Sequence, residues 1–199
     1  MKNTLTRLFA LSLLAACAAL PAHASAATPD AIVLARQAAL RVTHIKGFGS
    51  AYLVAADGAT ATGKSATSAS AITNWSFLFY TTTPPYSTAT VKYAKGKFAA
   101  TKITAGSGFP IIGVGAVKPL PTMTVTRALR ILRSDGHTRA FFIVQLLHPL
   151  ISPDSEYLFL YSKSSGTPNA TVDTVTGKVT YTKVTSGPAN GGPPSYVVY

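Results

Sequence analysis

The chain has few cysteines and few acidic residues, and each scarcity limits the classes of protein to which it can belong. One cysteine, Cys17, occurs among 199 residues, so no intramolecular disulfide can form and the fold must be held by packing. Six Asp and Glu stand against 18 Lys and Arg, which gives a formal net charge of +12. This excess favours anionic partners such as nucleic acid, lipid head groups, acidic polysaccharide or an acidic protein surface, without choosing among them.

Sequence motifs for catalysis and metal binding are also scarce. The four histidines show no His-x-x-x-His spacing, and no Gly-x-Ser-x-Gly elbow occurs. Gly63-Lys64-Ser65 resembles part of a phosphate-binding loop but does not follow a strand-to-helix turn of the required kind. Asp135 and His137 could join a serine only if the fold brought one to them. We therefore expect no catalytic residues, no metal site, no cofactor and no enzymatic activity.

The N-terminal residues 1–26 have the pattern of an export signal. A basic start precedes the apolar stretch Leu8 to Leu20, and Pro21 and small residues that suit cleavage follow. No later apolar run is long enough to predict a membrane helix. Leu14-Ala15-Ala16-Cys17 also resembles the lipobox of bacterial lipoproteins. We expect a periplasmic or secreted protein, with lipid anchoring through Cys17 as the alternative.

Two stretches of the chain are alike and predict an internal duplication. TATVKYAKGKF (88–98) and NATVDTVTGKV (169–179) share Ala-Thr-Val and a later Gly-Lys. An offset of 81 positions extends the match back to Trp75 and Glu156, and an offset of 89 matches the blocks further upstream. The predicted domains are a first repeat at 27–104, a linker at 105–121, a second repeat at 122–185 and a Gly/Pro-rich tail at 186–199.

Each predicted repeat begins with a helix and continues as an antiparallel meander of three to four strands. The first helix is expected from Pro29 to Val42, with Thr28 as N-cap and Asp30 in its first turn. The second is expected to bury Val125, Ala128, Leu129 and Leu132 and to end at Gly136. The expected strands are 50–55, 75–82 and 88–93 in the first repeat and 139–146, 157–163 and 171–175 in the second. The fold class is therefore α+β, two tandem repeats with one helix packed on each sheet.

The sequence also predicts the conformation of three further segments. The polar stretch Asp57 to Ser70 reads as a mobile loop. Within the linker, one strand is expected around Ile111 to Val117. Ser195 to Tyr199 could add as a strand to a sheet edge, in this molecule or in another.

VDTVTGKV at Val172 to Val179 resembles the last hairpin of the PepSY domain. The other repeat keeps only Val91 and Gly96-Lys97 of that motif, and Lys92 stands where the aspartate is expected. The resemblance implies a cystatin-like fold of the kind found in exported bacterial proteins, some of which restrain proteases. In architecture alone, the tandem helix-plus-sheet arrangement is also similar to the β-lactamase-inhibitory proteins.

Aromatic strands supply the first group of candidate binding residues. Both faces of the predicted sheets are apolar, and a helix can cover one face only. The other face must pack on the sister repeat, a second chain or a ligand. The aromatic side chains proposed to form this docking surface are Tyr80, Tyr157, Phe159 and Tyr161.

The second group of candidate binding residues lies on the second helix, opposite its apolar stripe. It consists of three arginines that recur every three residues: Arg127, Arg130 and Arg133. The function expected from both groups is non-enzymatic binding, as an inhibitor or adaptor for an envelope or extracellular protein. The alternative is a basic envelope protein that binds an anionic polymer through this arginine ridge: polysaccharide, lipid head groups or DNA.

Overall fold

The computed structural model describes residues 29–106, 113–161, 168–184 and 196–198. The predicted signal segment and Cys17 lie outside them, as do parts of the predicted linker and tail. The described residues form two helices, α1 (Ala31–Thr43) and α2 (Val125–Ser134). They also form ten strands: β1 (Tyr52–Ala59), β2 (Asn74–Tyr80), β3 (Ser87–Ala94), β4 (Lys97–Phe98), β5 (Lys102–Ala105), β6 (Ile143–Leu147), β7 (Glu156–Leu160), β8 (Pro168–Asp173), β9 (Val179–Val184) and β10 (Tyr196–Val198).

All of these strands belong to one antiparallel sheet. Its order is β10-β9-β8-β7-β6-β1-β2-β3-β4, and β5 pairs with β3 on the same outer side as β4. The first strands after each helix, β1 and β6, pair with each other, with Asp57 opposite Gln145. The α+β class is confirmed, and the strands of both halves share one continuous sheet that runs outward from this junction.

Helix α1 begins two residues later than predicted because Asp30 is its N-cap and not part of its first turn. One oxygen of Asp30 accepts a hydrogen bond from the backbone N–H of Ile32 at 3.0 Å. The other oxygen accepts from the N–H of Val125, the first residue of α2, at 3.3 Å. A single carboxylate therefore caps α1 and accepts a hydrogen bond from the first turn of α2, where the N–H groups have no partner within the helix. Thr28, the predicted cap, lies outside the described residues.

Helix α2 follows its sequence pattern closely. The Thr124 side chain accepts from the N–H of Arg127 at 3.2 Å and caps the helix. Its predicted apolar stripe is confirmed, since the four residues named for it are all buried. Gly136 follows the helix with a φ of +92°, a left-handed conformation that glycine adopts without strain.

Both helices cover the same face of the sheet, which we call the helix face; the opposite side is the open face. Alternate strand side chains point to each face. On the helix face, Phe77, Tyr157 and Phe159 are fully buried together with the apolar stripes of both helices. Each such side chain contributes roughly 1.5–3 kcal/mol by leaving water, so this layer is the main core.

The segment predicted as a mobile loop is partly structured. β1 continues to Ala59, three residues into it, and Ala66 forms an isolated bridge with Phe141. Gly58 lies beneath Trp75: a Cβ built at Gly58 would be 2.6 Å from Cη2 of that ring. The strand therefore continues here because a residue without a side chain lets the indole ring pack against the backbone.

The predicted linker and tail also contribute to the sheet and its core. Ala105 ends β5, and Val114 forms an isolated bridge with Pro149, while residues 107–112 lie outside the described part. Val117 is buried on the helix face, and its N–H donates to the carbonyl of Leu53. The tail strand β10 pairs antiparallel with β9 of the same chain.

Candidate binding surface

The open face carries a second, smaller apolar cluster. Its buried members are Val54, Tyr80, Val114, Leu147 and Leu158. Val114, from the predicted linker, covers part of this face. Three apolar side chains at its border, Tyr52, Leu78 and Leu160, stay partly exposed. No described helix packs on this face, so these side chains are where another molecule could reach apolar surface.

A tyrosine cluster lies on the open face where β1 begins and β2 ends. Tyr80 contacts Tyr52 edge to face, with ring centroids 6.2 Å apart, and Tyr86 stacks on Tyr80 at 5.9 Å and 6°. Tyr86 is 46% exposed and forms the outer surface of the cluster. Burial raises the pKa of the Tyr52 phenol, and the neighbouring Tyr80 raises it further. These rings offer contact area with few rotatable bonds, a common property of binding hot spots.

The structure places the other three predicted aromatic residues on the helix face. Tyr157 is fully buried, and its hydroxyl donates to the carbonyl of Met123 at 2.9 Å. Burial raises the pKa of that phenol. Phe159 packs edge to face on Phe141 at 5.2 Å. Tyr161 is 8% exposed, with the Arg139 guanidinium 5.7 Å from its ring. Of the four predicted rings, Tyr80 alone lies on the open face.

A one-residue error in the offset between the halves explains this separation. The offset of 81 places Trp75 over Glu156, but Trp75 lies on the helix face and Glu156 on the open face beside Leu147 and Leu158. The strand registers match Asn74 to Glu156 and Trp75 to Tyr157, an offset of 82 over β2 and β7. A shift of one residue along a strand exchanges its two faces. The predicted offset of 81 therefore aligned residues of β2 and β7 that lie on opposite faces of the sheet.

Charge is distributed unevenly over the open face. Residues that pair directly across two strands point to the same face of the sheet. The open face therefore carries three lysines that pair with its residues: Lys92 opposite Ser76, Lys97 opposite Ala94 and Lys102 opposite Thr90. All three are exposed. At the other end of the same face, Glu156 pairs with Asp173. Across the sheet, the lysines therefore lie on the side of β3 to β5 and the carboxylates on the side of β7 and β8, with the tyrosines of β1 and β2 between them.

The pairing of β1 with β6 includes a half-buried acidic residue, Asp57. The Gln145 side-chain amide donates to Oδ1 of Asp57 at 2.8 Å. Burial raises the pKa of Asp57, and the hydrogen bond from Gln145 lowers it by a smaller amount. This pair ties β1 to β6 with a polar contact at the centre of the sheet.

The arginine ridge lies on the exposed side of α2. Arg127, Arg130 and Arg133 are all exposed. Arg130 and Arg133 line a cavity of about 310 Å³ together with Ser68 and Ser70, which belong to the segment before β2. The Arg133 guanidinium also donates to the carbonyl of Thr67. The ridge thus faces away from the sheet and is separate from the open face.

Residues with catalytic potential are dispersed. His137 Nε2 lies 3.4 Å from Oδ2 of Asp135, which also accepts a hydrogen bond from the Tyr181 hydroxyl at 3.3 Å. Ser155 Oγ lies 3.5 Å from Nδ1 of another histidine, His148. Within the described ranges, no group of three His, Cys, Asp or Glu side chains is arranged to hold a metal ion.

The segment 58–65 reads GATATGKS, which has the full spacing Gly-x-x-x-x-Gly-Lys-Ser of a phosphate-binding loop. Gly58 completes the three residues noted from the sequence. Such a loop needs a helix that starts directly after it, because the helix N-terminus binds the phosphate. Here Gly58 lies inside β1 and pairs with Trp75 of β2. Ala66, which follows the motif, forms an isolated β-bridge with Phe141 and does not begin a helix. The motif therefore lacks the helix in this fold.

Comparison with known proteins adds little to this description. No family model matches the chain, and no curated protein matches it. A solved structure described as a putative lipoprotein from Clostridium difficile 630 aligns over 67% of this chain and 84% of its own, with 13% sequence identity and a TM-score of 0.44. At this level the likeness carries no argument about fold or function. No helix among the described residues is long and apolar enough to cross a membrane.

Proposed function

We propose that the protein is exported and acts by binding another protein, as an inhibitor or adaptor, without catalysing a reaction. The observation that carries the proposal is the tyrosine cluster at the border of the open face. Tyr52 is partly exposed and Tyr86 is 46% exposed, so both rings can contact another molecule. The cluster and its apolar neighbour Leu78 form the docking surface.

The lysines of the open face favour a folded protein with an acidic surface as its partner. Lys92, Lys97 and Lys102 share the open face with the tyrosines, and each is exposed. Interfaces commonly join a central aromatic anchor to a charged rim, and the rim charges raise the rate of association. An acidic partner surface complements both parts of this arrangement.

A duplication of one PepSY-like or cystatin-like unit accounts for the architecture. In each half a helix is followed by an antiparallel meander, and the two first strands pair at Asp57 and Gln145. The helix-face rings Trp75 and Phe77 correspond to Tyr157 and Phe159 at one constant offset. These correspondences support the proposal, and the hairpin motif VDTVTGKV relates the unit to PepSY domains.

Export is part of the proposal because residues 1–26 have the pattern of a signal peptide. Cleavage after residue 24 or 26 would release a soluble form, and lipidation would retain Cys17 as the first residue. Intact-mass measurement of the protein from membrane and soluble envelope fractions distinguishes the two outcomes. A mass that still contains residues 1–16 would contradict both.

The arginine ridge favours a second candidate function, binding of an anionic polymer. Arg127, Arg130 and Arg133 are exposed on one helix in a chain with formal net charge +12. About three charge contacts give weak binding that is lost steeply as salt rises. Salt therefore separates this candidate from docking at the tyrosine cluster, which depends less on ionic strength.

The test uses the mature protein as bait for envelope extract, with washes at low and then high salt. Two variants at exposed positions accompany it. Tyr86→Ala removes the outer ring of the cluster, and Leu40→Ala changes a 63% exposed side chain on α1. Any retained protein is then purified and its affinity is measured against all three forms.

The expected result is one protein that survives high salt, binds Leu40→Ala as it binds the wild type, and binds Tyr86→Ala about tenfold more weakly. Recovery of a polyanion that high salt removes would favour the arginine ridge instead. Equal affinity for both variants, or turnover of a substrate by the purified protein alone, would overturn the proposal.

A further inference from the structure

The cavity between α2 and the segment before β2 has a lining of hydrogen-bond donors. Its volume of about 310 Å³ falls at the lower end of the range for small-molecule sites, which is about 300–1,000 Å³. Two of its lining side chains are arginines and three carry hydroxyl groups, while no acidic side chain of the described residues lines it. We call it the arginine cavity, and the members that matter for its chemistry are Ser68, Ser70, Thr126, Arg130 and Arg133.

The polar groups of the arginine cavity are accessible from solvent. Four of these five side chains are exposed, and Ser68 is half-buried. A ligand in the cavity can therefore contact the guanidinium and hydroxyl groups directly.

Arg133 connects the two walls of the arginine cavity. Its guanidinium donates to the carbonyl of Thr67, in the segment opposite α2. A guanidinium has five N–H donors, so this contact leaves others for a ligand. On the same opposite wall, the Oγ atoms of Ser68 and Ser70 lie 3.0 Å apart. A side chain that is already held in this way loses less conformational freedom when a ligand binds.

Arg130 and Thr126 supply donors that the protein itself does not use. Within the described part of the chain, neither side chain forms an ion pair or a hydrogen bond. They are four positions apart on α2 and so lie on the same side of the helix. Asp30 lines the adjoining cavity together with Thr126, but its two oxygens accept from the backbone N–H groups of Ile32 and Val125. The two arginines therefore give the arginine cavity a positive charge that no described carboxylate neutralises by pairing with them.

This lining favours an anion whose oxygens point in several directions. The donors reach the cavity from both of its walls, whereas a planar carboxylate matches a single guanidinium. A phosphate monoester has three terminal oxygens and a charge of about −1.5 to −2 at pH 7, which complements two arginines. A phosphodiester carries one negative charge and complements them less well.

We propose that the arginine cavity binds a phosphate monoester, with phosphoryl oxygens at Arg130, Arg133 and the hydroxyl of Thr126. A soluble organic phosphate and a membrane lipid with a terminal phosphate both supply this group. The site differs from polymer binding along the arginine ridge, because Arg127 does not line the cavity. It is also independent of the tyrosine cluster, which lies on the other side of the sheet.

The test has two arms that distinguish the two sources of the phosphate. In the first, the ¹⁵N-labelled mature protein is titrated by NMR with glycerol 3-phosphate, a monoester, and with dimethyl phosphate, a diester. In the second, it is sedimented with phosphatidylcholine vesicles that contain either phosphatidic acid, a monoester, or phosphatidylglycerol, a diester.

The expected result is saturable shifts at the amides of Ser68, Ser70 and Thr126, with the monoester bound about tenfold more tightly than the diester. Such binding of glycerol 3-phosphate assigns the site to a soluble phosphate. The same preference seen with vesicles alone assigns it to a lipid. If neither monoester binds, or if monoester and diester bind equally in both arms, the proposal is overturned.

A matched pair of arginine variants connects the binding to the cavity. Arg130→Gln removes a charge that lines the cavity and should weaken monoester binding about tenfold. Arg127→Gln removes the same charge from the same helix outside the cavity and should change the affinity by less than about twofold. Thr126→Val keeps the shape of the side chain without its hydroxyl and should weaken binding about threefold.

Equal weakening by Arg127→Gln and Arg130→Gln would show that the ligand responds only to the general charge of the ridge, and it would overturn the proposal. Unchanged affinity in both Arg130→Gln and Thr126→Val would overturn it as well. Binding of a polyanion that both arginine variants weaken equally, without monoester binding, would leave the second candidate function intact while excluding this site.

Discussion

Replacement of Gly58 by alanine should destabilise the protein through one identifiable collision. The new Cβ would lie 2.6 and 2.7 Å from two carbons of the Trp75 ring and 2.8 Å from Cγ2 of Ile72. Carbon atoms pack at about 3.5–4.0 Å, so the ring or the strand must move by roughly 1 Å. Both neighbours are almost fully buried, Trp75 at 4% and Ile72 at 1% exposure, and the ring stacks on Phe77 at 6.2 Å. The indole therefore has little space into which it can retreat.

The magnitude follows from the usual cost of overpacking a well-filled core, about 1–3 kcal/mol. Alanine also stiffens the unfolded chain, which returns about 0.4–1 kcal/mol. The expected net loss in the free energy of unfolding is about 1–2 kcal/mol, or a fall in Tm of roughly 2–8 °C for a chain of this size. Trp75 is the chain's single tryptophan, so its fluorescence during urea denaturation reports the transition from the site of the collision itself.

Gly49→Ala is the matched control. Gly49 is exposed, its backbone is outside the left-handed region, and nothing lies within 4 Å of a Cβ built there. Its replacement should change stability by less than about 0.5 kcal/mol. If Gly58→Ala proves as stable as Gly49→Ala, Trp75 does not pack on the β1 backbone and the explanation for the extended strand is refuted.

Substitutions at three more positions test the polar contacts of the fold by urea denaturation. Asp30→Ala removes the N-cap of α1 and the acceptor for the first N–H of α2, and it should cost about 1–2 kcal/mol, while Asp30→Asn should retain most of the stability; equal loss in both variants would exclude capping. Tyr157→Phe leaves the buried carbonyl of Met123 without its donor and should cost about 1–3 kcal/mol, and an unchanged midpoint would show that water replaces the hydroxyl. Burial raises the pKa of Asp57, so the native protein binds this proton more tightly and its stability falls as the pH rises from about 4 through the raised value. Asp57→Asn should reduce that fall but not abolish it, since Glu156 behaves in the same way; identical profiles for variant and wild type would contradict this.

The sequence pattern predicted α2 and the turn between β3 and β4 correctly, because both depend on residues that are close together in the chain. The stripe of α2 recurs at helical spacing, and Gly136 follows it with the left-handed φ that helix ends favour. The turn Lys95-Gly96 joins β3 to β4 as expected, with φ of +53° and +78° at its two residues. Each of these features depends on neighbours within a few residues, so the sequence contains the information directly.

The candidate site was only partly predictable. Tyr80 lies on the open face as the binding hypothesis requires, but Tyr157 and Phe159 lie under the helices. Both strands are apolar on both faces, so their pattern cannot show which face the helices cover. The deciding information is the register between β1 and β6, which pairs residues 84 to 92 positions apart in the sequence. No local pattern in the sequence indicates this pairing.

By itself, the sequence determined the α+β class, the two helices and the main strands, because periodicity, caps and turn residues act over short distances. Tertiary structure alone decided that the strands join into one sheet, that both helices share a face, and that Glu156 lies with Asp154 and Asp173 in one pocket. The physical reason is that side chains alternate along a strand, so the pairing of distant strands assigns each residue to its face. The tyrosine cluster and this grouping of three carboxylates are consequences of that assignment.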